Sequence, residues 1–247
     1  MNVIKSLKNY LKFSKKNKKK DFNLPIEATE EIINIINISK KFSMTGEKRM
    51  YLLCEAVRQV KEKNLKGDFV ECGVWKGGNI ILLNKLCEIY NLDKKIYAYD
   101  TFDGMSEPEV VDKDYKNNLA QVLMNENVKS SKNDNIHCFS SYDEVHQNVN
   151  KFSNTSNVKF IKGKVEDTLK IKSNLPAEIS ILRLDTDFYS STKIELETLY
   201  ERLVSGGILI IDDYGHWQGA RKAVDEFFTK KPWLHVVDYT CRYVIKE

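Results

Sequence analysis

Residues 67–79, GDFVECGVWKGGN, combine a short apolar run, a glycine-containing turn and the start of an amphipathic segment. The apolar run predicts a strand that ends at Gly73, and Gly77 and Gly78 precede the predicted helix. Glycines in such a turn let backbone N–H groups approach a ligand, and a helix N-terminus favours negative charge. The spacing E-x-G-x-x-x-G-G lacks the GxGxxG pattern of dinucleotide-binding proteins, so the segment alone fits a nucleotide-like ligand or an ordinary tight turn.

The alternation of strand and helix continues from this segment to the C-terminus. Such alternation predicts parallel pairing through right-handed crossovers, hence an α/β fold with a doubly wound sheet. Only Tyr239 and Thr240 separate the last two strands, which therefore must form an antiparallel hairpin. The predicted strands cover residues 68–74, 95–101, 158–163, 178–185, 207–212, 234–238 and 241–246, and the predicted helices cover 27–38, 48–63, 79–90, 142–152, 191–203 and 220–229.

One connection is too long for a simple loop. Residues 103–141 are rich in Asn, Lys, Asp and Ser and follow the carboxyl end of the second predicted strand. Ligands bind at the carboxyl ends of strands in open α/β sheets, and long loops in compact domains are often lids. We therefore predict that this insertion is a partly helical lid.

The charge is distributed unevenly along the 247 residues. The chain has 39 Lys and Arg against 35 Asp and Glu, but residues 1–20 hold eight lysines and no acid, which leaves 31 basic and 35 acidic residues elsewhere. We predict a basic N-terminal extension over residues 1–24 and one domain over 25–247. An acidic body is not expected to bind nucleic acid. Residues 1–20 fit either a basic amphipathic helix that contacts an anionic membrane surface or a solvated chain start.

The composition also bears on the cellular compartment. No apolar stretch reaches the ~18–20 residues that span a bilayer, and the basic N-terminus lacks the apolar core of a secretory signal. The five cysteines are scattered and include no CxxC pair, which indicates reduced thiols rather than a disulfide framework or a zinc site. We expect a cytoplasmic protein.

Two further segments are candidates for contact with a nucleoside. Asp100 lies at the end of the second predicted strand, where a carboxylate can accept hydrogen bonds from both ribose hydroxyls, although an Asp there can equally cap a loop. Val165 and Asp167 follow the third strand and would lie near an adenine edge. A plain turn followed by a helix cap is the alternative for this second segment.

Acidic clusters follow two neighbouring predicted strands, in RLDTDFY (183–189) and IIDDY (210–214). Their four aspartates, at positions 185, 187, 212 and 213, should converge at one edge of the sheet. Carboxylates packed together repel one another unless a cation neutralises them, and oxygen-only ligands suit a hard cation such as Mg²⁺. In the alternative interpretation, Asp213 caps a helix and Asp187 pairs with Arg183 at the surface.

The four histidines have no metal-ligand spacing, and only His216 merits a test.

Four segments together carry a family resemblance: VECGVWKGGN (70–79), YDTFDGM (99–105), LRLDTDFYSST (182–192) and GGILIIDDYGHWQGARKAVDEFF (206–228). They closely resemble the macrocin O-methyltransferase family over about residues 45–228. The resemblance implies a seven-stranded, Rossmann-like class I methyltransferase sheet with a C-terminal hairpin. It implies Mg²⁺-dependent transfer of a methyl group from S-adenosylmethionine to a hydroxyl of a sugar or glycan, and a homo-oligomer.

The resemblance also implies roles for individual residues. Asp185, Asp212 and Asp213 would hold Mg²⁺, and Asp187 would act with Asp185 in catalysis as the general base. One departure is Thr186, which stands where the family usually has Gly and is expected to crowd the substrate side. The expected cofactor-binding residues are Thr45, Glu71, Gly73, Val74, Gly77, Asp100, Thr101, Phe102, Val165 and Asp167.

Two alternative functions remain at this point. A catechol-type methyltransferase would present the same metal and cofactor residues, because vicinal hydroxyls on an aromatic ring chelate a metal in the same way. A non-catalytic cofactor-binding module is the other alternative. The acidic body disfavours an RNA methyltransferase.

Overall fold

The computed structural model describes residues 24–130, 132 and 135–247. They contain a seven-stranded sheet with the order β3-β2-β1-β4-β5-β7-β6, in which β1 to β5 are parallel and β7 runs antiparallel to both of its neighbours. The predicted doubly wound sheet with a terminal hairpin is confirmed. The strands are β1 (Asp68–Cys72), β2 (Ile96–Asp100), β3 (Val158–Lys162), β4 (Ile179–Leu184), β5 (Leu203–Ile211), β6 (His235–Val236) and β7 (Arg242–Ile245).

Helices cover both faces of the sheet, so the central strands are apolar on both sides. Alternate residues of β1 enter the two cores, with Phe69 in one and Val70 in the other. Helices α1, α2, α3 and α5 pack on the first face, and α6, α7 and α8 on the second. The helices are α1 (Glu30–Ser39), α2 (Glu47–Glu62), α3 (Gly78–Tyr90), α4 (Ala120–Asn125), α5 (Tyr142–Phe152), α6 (Val165–Thr168), α7 (Tyr189–Leu199) and α8 (Gln218–Phe227), with 3₁₀ turns at Lys40–Phe42, Lys172–Asn174 and Tyr200–Arg202.

The fifth strand begins earlier than predicted. It starts at Leu203 rather than at residue 207, and the preceding helix ends at Leu199 rather than at residue 203. Ser205, Gly206 and Gly207 are poor strand formers and therefore indicate a turn in the sequence. In the structure the N–H of Gly206 donates to the carbonyl of Lys246 at 2.7 Å, so this bond to the C-terminal segment keeps the stretch in the sheet.

The described part of the insertion over residues 103–141 contains one helix, α4, and is fastened to the body of the domain. The buried carboxylate of Asp112 accepts hydrogen bonds from the N–H of Glu109 at 2.7 Å and of Tyr189 at 2.8 Å. The N–H of Gln218 donates to the carbonyl of Lys113 at 2.8 Å. These bonds hold the first part of the insertion against the N-termini of α7 and α8, and its action as a lid stays a prediction.

The basic extension lies almost entirely outside the described residues, since only Leu24 of residues 1–24 is included. The predicted membrane-contacting segment, residues 1–20, lies wholly outside them. Within the part that the structure covers, no helix has the length and apolar character needed to cross a bilayer.

Candidate functional site

A cavity of about 360 Å³ opens at the carboxyl ends of the five parallel strands. The glycine turn after β1, the end of β2 and the loop after β3 form one part of its wall, which we call the inner part. The aspartates after β4 and β5 form another part, which we call the middle part. Residues 43–45 precede α2, residues 104–106 belong to the insertion, and both segments contribute further walls. Ligand sites of open α/β sheets occupy this position.

Gly73 brings the glycine turn and the first acidic cluster together. Its backbone is left-handed, with φ of +86°, and a Cβ atom at this position would lie 1.9 Å from the carbonyl oxygen of Asp185. The N–H of Asp185 donates to the carbonyl of Cys72 at 2.9 Å. Only glycine allows this close approach, which sets the carboxylate of Asp185 beside the turn.

Asp100 caps the neighbouring loops and also borders the cavity, while its predicted contact with a ribose stays a prediction. Its Oδ2 accepts hydrogen bonds from the N–H groups of Val74 at 2.7 Å and Trp75 at 3.0 Å, and its Oδ1 accepts one from Phe102 at 2.7 Å. Burial raises the pKa of Asp100, and these hydrogen bonds oppose that rise. The side chain thus caps the glycine turn while it also lines the cavity.

The ten predicted cofactor residues divide into two groups. Those that line the cavity are Thr45, Gly73, Val74, Asp100, Thr101 and Val165. The other four do not line it, so the structure gives no counterpart to their predicted contact with a cofactor. Glu71 is buried against Asn79 and Arg183, Gly77 is the N-cap residue of α3, Phe102 packs on Tyr142 and Phe160, and Asp167 is exposed and pairs with Lys170.

The acidic clusters converge as predicted. Carboxylate oxygens of Asp185, Asp212 and Asp213 all lie within 4.8 Å of one another. Asp187 lines the same cavity and lies next to Asp213 and Trp217. Its backbone is left-handed, with φ of +66°, which turns the chain sharply after β4.

Arg183 is buried beneath these carboxylates and is not a surface partner of Asp187. Its Nη1 lies 2.7 Å from Asp185 Oδ2 and 2.6 Å from Glu71 Oε1, and its Nη2 lies 2.7 Å from Asp212 Oδ1. The alternative interpretation of the acidic clusters is therefore wrong. Arg183 neutralises part of the acidic charge and holds the ends of β4 and β5 in register.

A second basic residue, Arg49, was not identified from the sequence. It extends from α2 to an ion pair with Asp212, and its Nε lies 3.2 Å from Asp238 Oδ2. The sequence gives no signal for this contact, because Arg49 and Asp212 are 163 positions apart. Arg49 lines the cavity beside the three converging carboxylates.

Burial and mutual repulsion shift the pKa values of the aspartates. Burial raises the pKa of Asp187 to about 7, and the carboxylate of Asp185 adds to the shift. Burial raises the pKa of Asp212 to about 6, against the effect of Arg183. The pKa of Asp213 is also raised, by burial and then by Asp187. The guanidinium groups of Arg49 and Arg183 therefore do not fully offset the effect of burial and of repulsion among the aspartates.

This residue set fits a hard divalent cation. The buried Oδ2 atom of Asp213 has no hydrogen-bond partner in the described part of the chain. Asp185 and Asp212 supply further carboxylate oxygens within reach of it. Oxygen ligands of this kind suit Mg²⁺, and a bound cation would satisfy the unpartnered oxygen and reduce the repulsion.

Thr186 differs from its expected role. Its hydroxyl donates to the buried carboxylate of Glu195 on α7, with oxygens at 3.0 and 3.2 Å, although other atoms of Thr186 line the cavity. The hydroxyl therefore contributes to fixing the loop between Asp185 and Asp187 rather than to the substrate side. Glu195 could not be identified from the sequence, since a single acid within a helical pattern is usually exposed.

Comparisons with known proteins show the family to which the chain belongs. The family described as "Macrocin-O-methyltransferase (TylF)" matches residues 13–246. Demethyldecarbamoylnovobiocin O-methyltransferase of Streptomyces niveus is 31% identical over 192 residues, which are 76% of this chain and 68% of that protein. The 8-demethyl-8-(2,3-dimethoxy-alpha-L-rhamnosyl)-tetracenomycin-C 4'-O-methyltransferase of Streptomyces olivaceus is 30% identical over 193 residues, 75% of this chain and 67% of that protein.

A solved structure shares both the fold and part of the sequence. The O-methyltransferase NovP superposes with a TM-score of 0.70 at 29% identity, over 83% of this chain and 82% of that chain. Together with the family match over nearly the whole described region, this likeness confirms the class I methyltransferase sheet. The chain belongs to the macrocin O-methyltransferase family and is an S-adenosylmethionine-dependent O-methyltransferase.

Proposed function

We propose that this enzyme transfers a methyl group from S-adenosylmethionine to a hydroxyl of a sugar or glycan, with Mg²⁺ as a second cofactor. The observation that carries the proposal is the convergence of four aspartates on the cavity beside the glycine turn. The printed name of the tetracenomycin relative, which specifies a rhamnosyl group, supports a sugar acceptor. Family membership argues against the non-catalytic alternative.

The inner part of the cavity is the proposed place of S-adenosylmethionine. When bound, this cofactor supplies a methyl group on a positively charged sulfur. Gly73 and Val74 contribute the backbone of the glycine turn at the N-terminal end of α3, and Asp100 and Val165 line the neighbouring walls. Thr45 closes the side toward α2 and also accepts a hydrogen bond from Arg183 at 3.0 Å.

The middle part of the cavity is the proposed reaction centre. Asp185, Asp212 and Asp213 would hold Mg²⁺, which supplies Lewis acidity and a template for adjacent hydroxyl groups. Asp187 lies beside this set, and its carboxylate would accept the proton of the acceptor hydroxyl. Trp217 and Asp213 orient the Asp187 side chain, and Arg183 fixes Asp185 and Asp212 from below.

A labelled-methyl transfer screen tests this proposal. The purified protein is incubated with labelled S-adenosylmethionine and with nucleotide-sugars, oligosaccharides or catechol, each with EDTA or with added Mg²⁺. We expect transfer to a sugar that EDTA abolishes and Mg²⁺ restores. Undiminished transfer in EDTA would refute the metal role, and transfer to catechol alone would favour the catechol-type function.

Two substitutions separate the proposed roles of the aspartates. Asp187→Asn should lower turnover by about 10²- to 10⁴-fold, the contribution of a general base, and leave Mn²⁺ affinity nearly unchanged. Asp185→Asn should weaken both turnover and Mn²⁺ binding, which isothermal titration calorimetry measures. Asp225→Asn, on the exposed part of α8, is the control. Equal loss of Mn²⁺ binding in both active-site variants would contradict the division of roles.

A further inference from the structure

A strained turn places Asp187 at the wall of the cavity. The N–H of Phe188 donates to the carbonyl of Thr186 at 2.7 Å, which closes a γ-turn with Asp187 at its centre. The φ of Asp187 is +66°, and γ-turns with a positive φ are rare and strained. Such a conformation persists only where the surrounding structure imposes it, so groups outside Asp187 must hold this turn.

The start of α7 fixes the end of the turn. Phe188 is buried, and its ring packs edge-on against Trp217 with the ring centroids 5.5 Å apart. Its carbonyl accepts a hydrogen bond from the N–H of Thr192 at 3.0 Å, and Phe188 is the N-cap residue of α7. These contacts hold the residue that follows Asp187 but not the residue that precedes it.

Glu195, on the same helix, fixes the beginning of the turn. The hydroxyl of Thr186 donates to the carboxyl group of Glu195, whose two oxygens lie at 3.0 and 3.2 Å. Glu195 is fully buried, so this group cannot swing into solvent while α7 stays packed on the sheet. Both ends of the turn are therefore attached to α7, one through the backbone of Phe188 and the other through the side chain of Glu195.

The neighbouring metal-site candidate Asp185 is held independently of α7. Its N–H donates to the carbonyl of Cys72, on β1, at 2.9 Å, and its Oδ2 lies 2.7 Å from Nη1 of Arg183, on β4. Both partners belong to strands of the sheet. Loss of the contact between Thr186 and Glu195 should therefore affect Asp187 more than Asp185.

We propose that Glu195 is a positioning residue for the methyl transfer: through the hydroxyl of Thr186 it imposes the strained turn that presents the carboxylate of Asp187 to the acceptor. Glu195 itself does not line the cavity and acts only through Thr186. This inference rests on the proposed function, because it takes Asp187 to accept the proton of the acceptor hydroxyl.

Alanine and glycine at position 187 report on the turn without any acceptor. Both substitutions remove the carboxylate, but only glycine adopts a positive φ without strain. Urea denaturation of the full-length protein should give Asp187→Ala an unfolding constant about fivefold larger than that of Asp187→Gly. When Glu195→Leu is added to both, the turn can relax to a negative φ, and this ratio of unfolding constants should fall to about one or below.

Three further backgrounds assign the effect to one hydrogen bond. Glu195→Gln keeps an oxygen that accepts from the Thr186 hydroxyl, so it should retain the ratio of unfolding constants. Thr186→Val keeps the shape of the side chain but removes the donor, so it should lower the ratio as Glu195→Leu does. Glu197→Leu makes the matched change at an exposed position of α7 and should retain the ratio.

Two measurements on proteins that keep Asp187 relate the turn to the reaction. With a sugar that the transfer screen identifies, Glu195→Leu should lower kcat about tenfold, since a displaced base slows the chemical step, and leave KM for S-adenosylmethionine nearly unchanged. Glu195→Gln should restore most of kcat. Mn²⁺ affinity, measured by isothermal titration calorimetry, should be nearly the same in Glu195→Leu and the wild type, because the sheet holds Asp185.

A double substitution shows whether Glu195 acts through Asp187. In the Asp187→Asn background, Glu195→Leu should lower kcat little further, because the group that Glu195 positions is already absent. A further loss as large as that in the wild-type background would mean that Glu195 acts by another route, and it would overturn the inference.

The remaining outcomes separate this inference from the proposed function. A ratio of unfolding constants that Glu195→Leu leaves unchanged would overturn the inference and leave the proposed function standing. So would a ratio that falls while kcat stays at the wild-type value, or a loss of Mn²⁺ affinity as large as the loss of kcat. The absence of transfer to any acceptor by the wild type would overturn the proposed function and, with it, the role of the turn in the reaction.

Discussion

Gly215 shows how a single residue shapes the chain beside the cavity. A Cβ atom at this position would lie 1.8 Å from the carbonyl oxygen of Tyr239 and 2.8 Å from the Cα of Thr240. These contacts are with backbone atoms, which cannot turn aside as a flexible side chain can. The absence of a side chain therefore allows the hairpin to lie against the segment that follows the second acidic cluster.

We expect Gly215→Ala to displace the hairpin and to lower the free energy of unfolding by about 1–3 kcal/mol, the usual range for overpacking. Urea denaturation of the full-length protein measures this change. Gly46→Ala is the control, because an added Cβ there would find its nearest neighbours at 3.8 Å. The control should change the free energy of unfolding by less than about 1 kcal/mol. Equal stability of the Gly215→Ala variant and the wild type would show that the backbone can relax.

The sequence predicts site residues that are marked by their position next to a strand. Asp185 and Asp212 could be found because each follows a buried apolar strand, and parallel strands end at one edge of the sheet. Arg49 could not be found in this way, because its contact with Asp212 depends on how α2 packs over the sheet. Nor does the pattern of a strand and a turn tell whether a residue such as Glu71 lines the cavity or lies beneath it.

At the scale of elements, α7 contributes a buried acid to the loop that carries the proposed catalytic aspartates. Glu195 is fully buried, and the groups that face it are Thr186 and Asp185 after β4, Cys72 on β1 and Glu166 on α6. These neighbours are acidic or uncharged, so none of them supplies a positive charge that would favour the ionised form. Burial raises the pKa of Glu195 well above its ordinary value of 4.5.

We predict that Glu195→Gln becomes progressively more stable than the wild type as the pH rises. Above pH 4.5 the unfolded chain releases the Glu195 proton while the folded chain keeps it, so the wild type loses free energy of unfolding with rising pH. The glutamine variant has no such loss. The difference in the free energy of unfolding between the variant and the wild type should therefore grow by at most about 1.4 kcal/mol per pH unit. Urea denaturation at pH 5 and pH 7 measures it.

An exposed carboxylate on the same helix provides the control for this prediction. Glu197→Gln should leave the free energy of unfolding nearly unchanged at both pH values, since Glu197 is exposed. If the free energy of unfolding of Glu195→Gln differed from that of the wild type by the same amount at pH 5 and pH 7, Glu195 would be ionised in the folded protein.

Helix α2 brings a positive charge to the acidic group from the opposite side. Arg49 contacts Oδ2 of Asp212, one of the three carboxylates that converge. A cation bound by those carboxylates would have to share or displace this contact. We therefore expect the helix to influence the affinity of the proposed metal site as well as its charge.

We expect Arg49→Met to tighten Mn²⁺ binding by about tenfold. In the wild type the ion competes with the hydrogen bond between Arg49 and Asp212, and a hydrogen bond to a charged group contributes about 1.5 kcal/mol. The methionine variant has no such bond to displace. Isothermal titration calorimetry with Mn²⁺ alone measures the change without reference to activity. Arg49→Lys keeps the positive charge, and its affinity for Mn²⁺ should remain close to that of the wild type. Weaker Mn²⁺ binding in Arg49→Met would instead mean that Arg49 orients Asp212 for the ion.

The elements that the sequence predicts least well are those set by distant pairing. The start of β5 depends on hydrogen bonds to the C-terminal strand, and the two-residue β6 depends on how far the hairpin stays in register. The central strands, in contrast, are apolar runs buried on both faces, so their local sequence already indicates them. The insertion has no such periodicity, and its attachment through Asp112 could not be foreseen.

At the scale of the whole molecule, charge separates the N-terminus from the rest of the chain. Residues 1–20 carry eight lysines without an acid, while the remaining residues are acidic overall. An anionic membrane attracts each lysine near its surface by about 1 kcal/mol and repels an acidic body. Any attraction of the enzyme to such a membrane would therefore come from the first twenty residues.

We predict that deletion of residues 1–20 reduces binding to vesicles that contain phosphatidylserine and leaves binding to neutral phosphatidylcholine vesicles unchanged. Co-sedimentation of the full chain and of the shortened chain measures both. Since the attraction is electrostatic, raising the salt from 0.1 M to 1 M, which shortens the Debye length from about 10 Å to about 3 Å, should release the full chain. Equal sedimentation of the two proteins with anionic vesicles would refute the membrane hypothesis and favour a solvated chain start.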